Sequence, residues 1–161
     1  MKLDVYLNYK GNCEQAFRFY EEHLGGKIIM MTTHGELPQP NPNLPANWKD
    51  KILHARIDLG KMVLMGADIP NAEPMRSANL SLSVDSDQEA ERIYQLLSEG
   101  GEIFMKMEQT FFASRFGMLR DKFGTSWMLL HEKAQGVPMS QAGKGTAAPR
   151  SGPQSGKKAK P

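Results

Sequence analysis

The most constraining feature of the chain is a sequence segment that occurs twice. EQAFRFY at residues 14–20 is followed by GGKI at 25–28, and QEAERIY at 88–94 is followed by GGEI at 100–103. Alanine, arginine and tyrosine recur in the same order, and each helix-like run ends at a glycine pair. A repeat of this length indicates two copies of one supersecondary unit. The sequence therefore predicts two half-domains packed about a pseudo-twofold axis, with a site between them.

The hydrophobic pattern assigns the same order of elements to both halves. Alternating residues predict strands at 4–9 and 79–84, and helical periodicity predicts helices at 13–24, with Asn12 as N-cap, and at 87–98. The other predicted strands lie at 27–33, 51–59, 62–66, 102–107, 115–120 and 125–131. The predicted fold class is α+β, with two βαβββ modules that form a cupped mixed sheet and carry their helices on the outer face.

The chain divides into one domain and a tail. Residues 1–133 form the predicted domain, with modules at about 1–67 and 78–133 and a linker at 68–77. Four prolines mark residues 34–50 as a long loop, which we expect to cover the site. Residues 134–161 are rich in Gly, Ala, Pro, Ser and Lys, and predict a disordered basic tail.

Charge and cysteine content narrow the partners and the compartment. Five of the 20 basic residues and none of the 18 acidic residues follow Lys133, so the domain has a net charge of about −3. This argues against nucleic-acid binding by the folded part. No apolar run approaches the ~18 residues of a membrane span, and Cys13 is the only cysteine. We therefore expect a cytoplasmic protein that binds neither membranes nor nucleic acid.

Polar side chains occupy one face of several predicted strands. His54 and Arg56 share a face, because side chains two residues apart point the same way. Arg56 is a candidate clamp for a carboxylate and His54 a candidate hydrogen-bond donor or general base. The alternative is a solvated strand face with local ion pairs. The predicted ligand-binding residues are Asp4, Tyr6, His54, Arg56, Asn79, Ser81, Phe112 and Met128.

No established catalytic motif occurs in the sequence. It contains no nucleophile elbow, P-loop, GxGxxG turn or recognisable Ser-His-Asp arrangement. It also has no Gly-rich first turn of an α/β sheet, which an S-adenosylmethionine-dependent methyltransferase would be expected to show. The catalytic residues are therefore unknown, with His54 as the candidate acid or base, and whether the protein is an enzyme stays open.

The chain resembles the vicinal oxygen chelate superfamily, which includes glyoxalases, extradiol dioxygenases and bleomycin-resistance proteins. The duplicated βαβββ plan carries this resemblance across residues 1 to about 133. Its PhnB-like branch, often labelled as a demethylubiquinone methyltransferase domain, is similar in YLNYKGNC at 6–13, ILHA at 52–55, FFA at 111–113, FG at 116–117 and DKFGTSW at 121–127. The resemblance implies a glyoxalase-like fold and a homodimer, since family members commonly complete their cups across a twofold interface.

The resemblance also implies where a metal would bind. Metal-dependent members use four ligand positions on four concave strands, which fall here on Asp4 (or Val5 in a gapless match), His54 or Arg56, Asn79, and Met128. A Zn, Ni, Fe or Mn site needs three or four His, carboxylate or thiolate donors. Only Asp4 and His54 qualify, so the sequence predicts no metal and no other cofactor. A divalent ion held by these two residues is the alternative.

The expected function is the binding of a small organic molecule in the concave cup. Arg56 and Asn79 would hold its polar ends, while Met128 and Phe112 would pack on its apolar part. One alternative is a divalent-metal-dependent lyase, isomerase or dioxygenase. The second is a resistance protein that sequesters an antibiotic.

Overall fold

The computed structural model of the chain describes residues 4–39 and 41–133, so the predicted tail at 134–161 lies outside the described residues. In module 1, β1 is Val5–Tyr9, α1 is Cys13–Leu24, β2 is Lys27–Thr33, β3 is Ile52–Asp58 and β4 is Val63–Asp68. In module 2, β5 is Leu80–Ser83, α2 is Asp87–Ser98, β6 is Glu102–Glu108, β7 is Ala113–Arg120 and β8 is Ser126–Glu132. The predicted βαβββ order is confirmed in both modules.

Each module forms its own four-stranded mixed sheet. The strand orders are β1-β4-β3-β2 and β5-β8-β7-β6. The first and last strands of each module pair in parallel, and the other pairs are antiparallel. The two sheets therefore have the same topology, as the sequence repeat predicts, and the α+β class is confirmed. Within residues 4–39 and 41–133, no helix is long and apolar enough to cross a membrane.

A single apolar core holds both helices against the sheets. It includes Phe17 and Tyr20 from α1, Ile93 and Leu97 from α2, and Trp127 from β8, all almost completely buried. The helical residues recur at intervals of three and four, which puts them on one face of each helix. The core therefore leaves the opposite faces of the sheets available for a site.

A buried polar network ties module 1 to module 2. The Tyr20 hydroxyl donates to Oδ2 of Asp121 at 2.6 Å and lies 2.9 Å from Oγ1 of Thr125, which also lies 3.1 Å from the Tyr9 hydroxyl. The same Asp121 oxygen accepts from the Trp127 indole N–H at 2.8 Å. Burial raises the pKa of both tyrosines, so their hydroxyls stay protonated at neutral pH.

The start of α1 is held by a residue of β4 rather than by its own N-cap. The side chain of Asn12 makes no capping hydrogen bond, contrary to the sequence-based prediction. Instead, Asp68 accepts from the backbone N–H of Cys13 at 2.9 Å and from that of Ile52 at 2.8 Å. A buried carboxylate from another element has taken over the capping role, which local sequence does not reveal.

The proline-rich loop after β2 contains two short 3₁₀ helices, at His34–Glu36 and Ala46–Trp48. The residue pattern predicts only irregular structure here, because a 3₁₀ helix of three residues is too short to produce a periodic signal in the sequence. The N–H groups of His34 and Gly35 donate to the carbonyls of Lys51 and Lys49 at 2.9 and 2.8 Å. The two ends of the loop are therefore joined.

Equivalent glycines of the two repeats have different surroundings. A Cβ at Gly101 would lie 2.3 Å from the carbonyl oxygen of Arg120, whereas one at Gly26 would meet the side-chain ends of Leu59 and Ile57 at 2.5 and 2.9 Å. Backbone cannot rotate away as side-chain methyls can. We expect Gly101→Ala to lower the free energy of unfolding by about 2–3 kcal/mol and Gly26→Ala by about 1 kcal/mol. Urea unfolding compares the two variants, and equal losses would contradict this explanation.

Candidate functional site

One row of side chains crosses the first sheet on the face away from the core. In the strand register, Tyr6 lies beside Met65, Met65 beside Arg56, and Arg56 beside Met30. Ala55, which precedes Arg56, is fully buried on the opposite face. The predicted site residues Tyr6 and Arg56 thus lie in one row. Met65 lies between them, and Met30 lies on the other side of Arg56.

Tyr6 and His54 meet on this face. The Tyr6 hydroxyl lies 3.1 Å from Nδ1 of His54, and the rings stack with centroids 5.6 Å apart. Partial burial raises the pKa of Tyr6, so its hydroxyl stays protonated at neutral pH. If this hydroxyl donates to Nδ1, Nε2 carries the imidazole proton and can donate it to a ligand. The pair can therefore orient a ligand oxygen or exchange a proton with it.

Arg56 has an unsatisfied donor. Its Nε is buried and has no hydrogen-bond partner among the described residues. Buried polar atoms in native proteins are nearly always paired, with protein, water or ligand. A guanidinium presents its N–H groups in a planar fork that fits a carboxylate. This atom is consequently the strongest local indication that the face receives a polar partner.

The corresponding row of the second sheet is apolar. Ser81 lies beside Met128, Met128 beside Met118, and Met118 beside Met105. Three thioethers thus occupy the positions that Met65, Arg56 and Met30 have in the first sheet, and Ser81 occupies the position of Tyr6. Methionine adapts to ligands of varied shape.

A small second core supports this apolar row. Ala113, Phe116 and Leu130 are buried, and Met118 and Met128 pack against them. The exposed ring of Phe112 packs on Phe116 with centroids 5.2 Å apart. The predicted residues Phe112 and Met128 are thus brought to one neighbourhood.

The predicted site residues fall into two groups, one on each sheet. Asp4 is half-buried immediately before β1, and Asn79 is exposed immediately before β5. For the predicted residues other than Asp4, the described side-chain contacts join Tyr6 to His54 and keep Phe112 and Met128 with the second core. Met65, Met30 and Met118 are not among the predicted site residues, since strand register is needed to place them in these rows.

The positions implied for a metal do not supply a suitable donor set. Within the described residues, no three His, Cys, Asp or Glu side chains come together. His54 already lies within hydrogen-bond distance of Tyr6, and Met128 packs in an apolar cluster. A closed site for a divalent ion needs more oxygen, nitrogen or thiolate donors than these residues provide.

A Ser-His-Asp cluster does occur, although the sequence gives no sign of it. Nδ1 of His131 lies 2.7 Å from Asp87 and 3.0 Å from Ser114 Oγ. In a hydrolytic triad, the serine and the carboxylate contact different imidazole nitrogens. Here both contact one nitrogen, so the serine is not activated. Hydrogen bonds from Ser114 and His131 lower the pKa of Asp87, and the cluster fastens the start of α2 to β7 and β8.

Cys13 is not a reactive thiol. It lies at the first position of α1, where a helix N-terminus would favour the thiolate. However, burial and the neighbouring carboxylate of Asp68 raise the pKa of Cys13. The side chain is completely buried and serves as part of the core.

Known proteins are similar to this chain in sequence and in fold. The protein YjdN of Escherichia coli strain K12 is 32% identical over 145 residues, which cover 84% of this chain and 98% of YjdN. The crystal structure of PA1353 from Pseudomonas aeruginosa is 42% identical, with a TM-score of 0.73 over 82% of this chain and 98% of that one.

A more distant likeness supports the fold alone. A Bacillus cereus protein described as a putative 3-demethylubiquinone-9 3-methyltransferase, PhnB protein, is 23% identical, with a TM-score of 0.68 over 81% of this chain and 99% of that one. A family model for the glyoxalase/bleomycin resistance protein/dioxygenase superfamily matches residues 2–129, which include module 1, module 2 as far as Leu129 and every candidate residue. The duplicated sheets and this match together show that the chain belongs to that superfamily.

Proposed function

We propose that the protein binds a small organic anion on the polar face formed by Tyr6, His54 and Arg56. The observation that carries this proposal is the buried Nε of Arg56, which has no partner among the described residues. The adjacent Tyr6–His54 pair supplies a hydroxyl and an imidazole. A carboxylate fits this set because it accepts charge-assisted hydrogen bonds from the guanidinium and neutral ones from the ring groups.

A second copy of the chain would complete the cup. The exposed large apolar residues of module 2 include Ile103, Phe104, Met105, Phe111 and Phe112, and Phe111 is 93% exposed. Several large apolar side chains left exposed on one module are consistent with an interaction site. In a homodimer, the thioether row of one protomer would face the polar row of its partner and hold the apolar part of the ligand. Asn79 and Ser81 would line the rim, and loop 34–50 would cover the opening.

Arg56→Ala tests the site directly. We expect carboxylate ligands found by screening to bind with about 1.5–3 kcal/mol less free energy, or roughly 10- to 150-fold more weakly, because the charged donor is lost. Arg76→Ala is the matched control, since Arg76 is exposed and has no described partner. Calorimetric titration measures both variants. Equal affinity of the wild type and Arg56→Ala would remove Arg56 from the site.

The metal-dependent alternative rests on superfamily membership and on Asp4 and His54 as donors. Metal analysis of protein purified without chelator separates it from our proposal. Stoichiometric Zn, Mn, Fe or Ni would favour a lyase, isomerase or dioxygenase over metal-free binding. Antibiotic sequestration is less well supported, because Arg56 on the floor of the site disfavours a cationic drug.

We also propose a cytoplasmic location. The chain has one cysteine, so it cannot form an internal disulfide, and that thiol is buried. Both features fit a reducing compartment.

A further inference from the structure

The two modules form a groove that neither His54 nor Arg56 of the polar face lines. It consists of two adjoining cavities of about 460 and 250 Å³, which have Asn8, Tyr9, Glu73 and Gly124 in common. The smaller cavity follows the whole of β1, the edge strand of the first sheet. The larger continues past Lys10 to the β7–β8 turn. The groove is large enough for a small metabolite.

The groove is preformed, because its far wall is fixed to module 2. The N–H of Met75 donates to the Gly124 carbonyl at 2.8 Å. The Met75 carbonyl in turn accepts from Ser126 Oγ at 3.1 Å and from Arg120 Nη1 at 3.3 Å. The linker segment that carries Glu73 is therefore held against the second sheet, and a ligand would meet a surface that needs little reorganisation.

Some of the charged side chains of the groove are already held within the protein by hydrogen bonds or by an ion pair. Asp121 accepts from Tyr20, Trp127 and two backbone N–H groups, and it is buried. Glu102 is paired with Arg120, whose guanidinium also lies over the Phe104 ring. Asp121, Glu102 and Arg120 line the groove, but their polar groups are already bonded within the protein. They are therefore not the charges that we expect to bind a ligand.

Three charged side chains of the groove have neither a hydrogen-bond nor an ion-pair partner among the described residues: Lys10, Lys122 and Glu73. The ammonium of Lys122 lies 5.2 Å from the ring centroid of Phe19 and 5.5 Å from that of Phe123, which places it at the wall of the larger cavity. Glu73 lines both cavities, whereas the two lysines line only the larger one. The positive charges therefore lie towards one end and the negative charge near the middle.

We propose that this groove binds an extended zwitterion, with its carboxylate at Lys10 and Lys122 and its ammonium at Glu73. The larger cavity is lined by Glu73, Lys10 and Lys122, so one small ligand can reach charges of both signs there. An ω-amino acid has this chemistry. Arg56 and His54 do not line the groove, whereas Tyr6 lines its smaller cavity.

The test is a titration of ¹⁵N-labelled protein with 6-aminohexanoate and hexanoate, which differ in one ammonium group. At constant ionic strength, 6-aminohexanoate should cause saturable shifts of the amides at 8–10, 73, 75 and 122–124. Glu73→Gln should weaken 6-aminohexanoate by about tenfold or more and leave hexanoate unchanged or tighter. The double variant Lys10→Gln/Lys122→Gln should weaken both compounds.

Two control variants make the result decisive. Lys27→Gln/Lys106→Gln removes two other exposed lysines and should change neither affinity. Arg56→Ala should leave the 6-aminohexanoate shifts of the groove amides unchanged, although it should weaken carboxylates at the polar face, so that failure of the polar-face proposal and failure of this one are distinguishable. The groove proposal is overturned if 6-aminohexanoate causes no saturable shifts at these amides, if Glu73→Gln has no effect, or if Arg56→Ala abolishes the shifts there. Thermal unfolding confirms that each variant is folded.

Discussion

Asp121→Ala is expected to reduce the free energy of unfolding by about 3–4 kcal/mol, the largest loss that we predict for this chain. The carboxylate accepts hydrogen bonds from the Tyr20 hydroxyl, the Trp127 indole and the N–H groups of Phe123 and Thr125. Alanine would leave the Trp127 indole N–H and the Thr125 N–H buried without a partner and the Tyr20 hydroxyl with Thr125 alone, and unsatisfied buried donors cost more than the bonds themselves contribute. Urea unfolding followed by tryptophan fluorescence measures the loss.

The control for this prediction is Asp85→Ala, since Asp85 is exposed and has no described partner. It should change stability by no more than about 0.5 kcal/mol. Tyr20→Phe should cost about 1–2 kcal/mol, and the two network changes should be non-additive because they remove the same bond. Additive losses from Tyr20→Phe and Asp121→Ala would show that the network is not coupled.

Asp68→Ala is expected to reduce the free energy of unfolding by about 2–4 kcal/mol. One carboxylate oxygen accepts from the first N–H of α1 and the other from the first N–H of β3, at 2.9 and 2.8 Å. The residue is 1% exposed, so water cannot replace it in the folded protein. Both elements would lose their starting hydrogen bond. Chemical denaturation measures the loss, and hydrogen exchange at Cys13 and Ile52 locates it.

Asp58→Ala provides the comparison for Asp68. Asp58 is exposed, and its described hydrogen bond is from the N–H of Gly60 within the same turn. Its loss should cost about 0.5–1 kcal/mol. If Asp68→Ala is no more destabilising than Asp58→Ala, the carboxylate does not act as the cap of α1.

The two modules share a topology but differ in the chemistry of their equivalent rows. Tyr6 and Arg56 on the first sheet correspond to Ser81 and Met118 on the second. The duplicated framework is therefore symmetric in its backbone and asymmetric in its side chains. A ligand held between such surfaces would have one polar end and one apolar end.

The elements were well predicted because each carries a local signal. Both helices have the predicted bounds, since helical periodicity and glycine pairs mark them. Strand β7 begins at Ala113, two residues before the predicted start, because the aromatic run before it conceals the alternation. The pattern before α2 allows either Asp85 or Ser86 as its N-cap, and Ser86 caps the helix through its hydroxyl, whereas Asn12 does not cap α1.

The site was only partly predictable. Alternation placed His54 and Arg56 on one outward face, and the contact of His54 with Tyr6 follows from strands far apart in the chain. The Asp87–Ser114–His131 cluster and the methionine row depend on strand register, to which no local motif corresponds. The groove depends on the packing of one module against the other.

The sequence by itself determined the duplicated α+β plan, the order of the helices and strands along the chain, and the polar character of the Tyr6–Arg56 face. These follow from short-range periodicity, which is written into neighbouring residues. Only the tertiary structure decided that Asp68 would cap α1, that Asp121 would join the modules, and that Nε of Arg56 would have no partner in the described part of the chain. Those outcomes depend on which distant groups meet after burial, since a buried polar atom must find its partner wherever the fold places one.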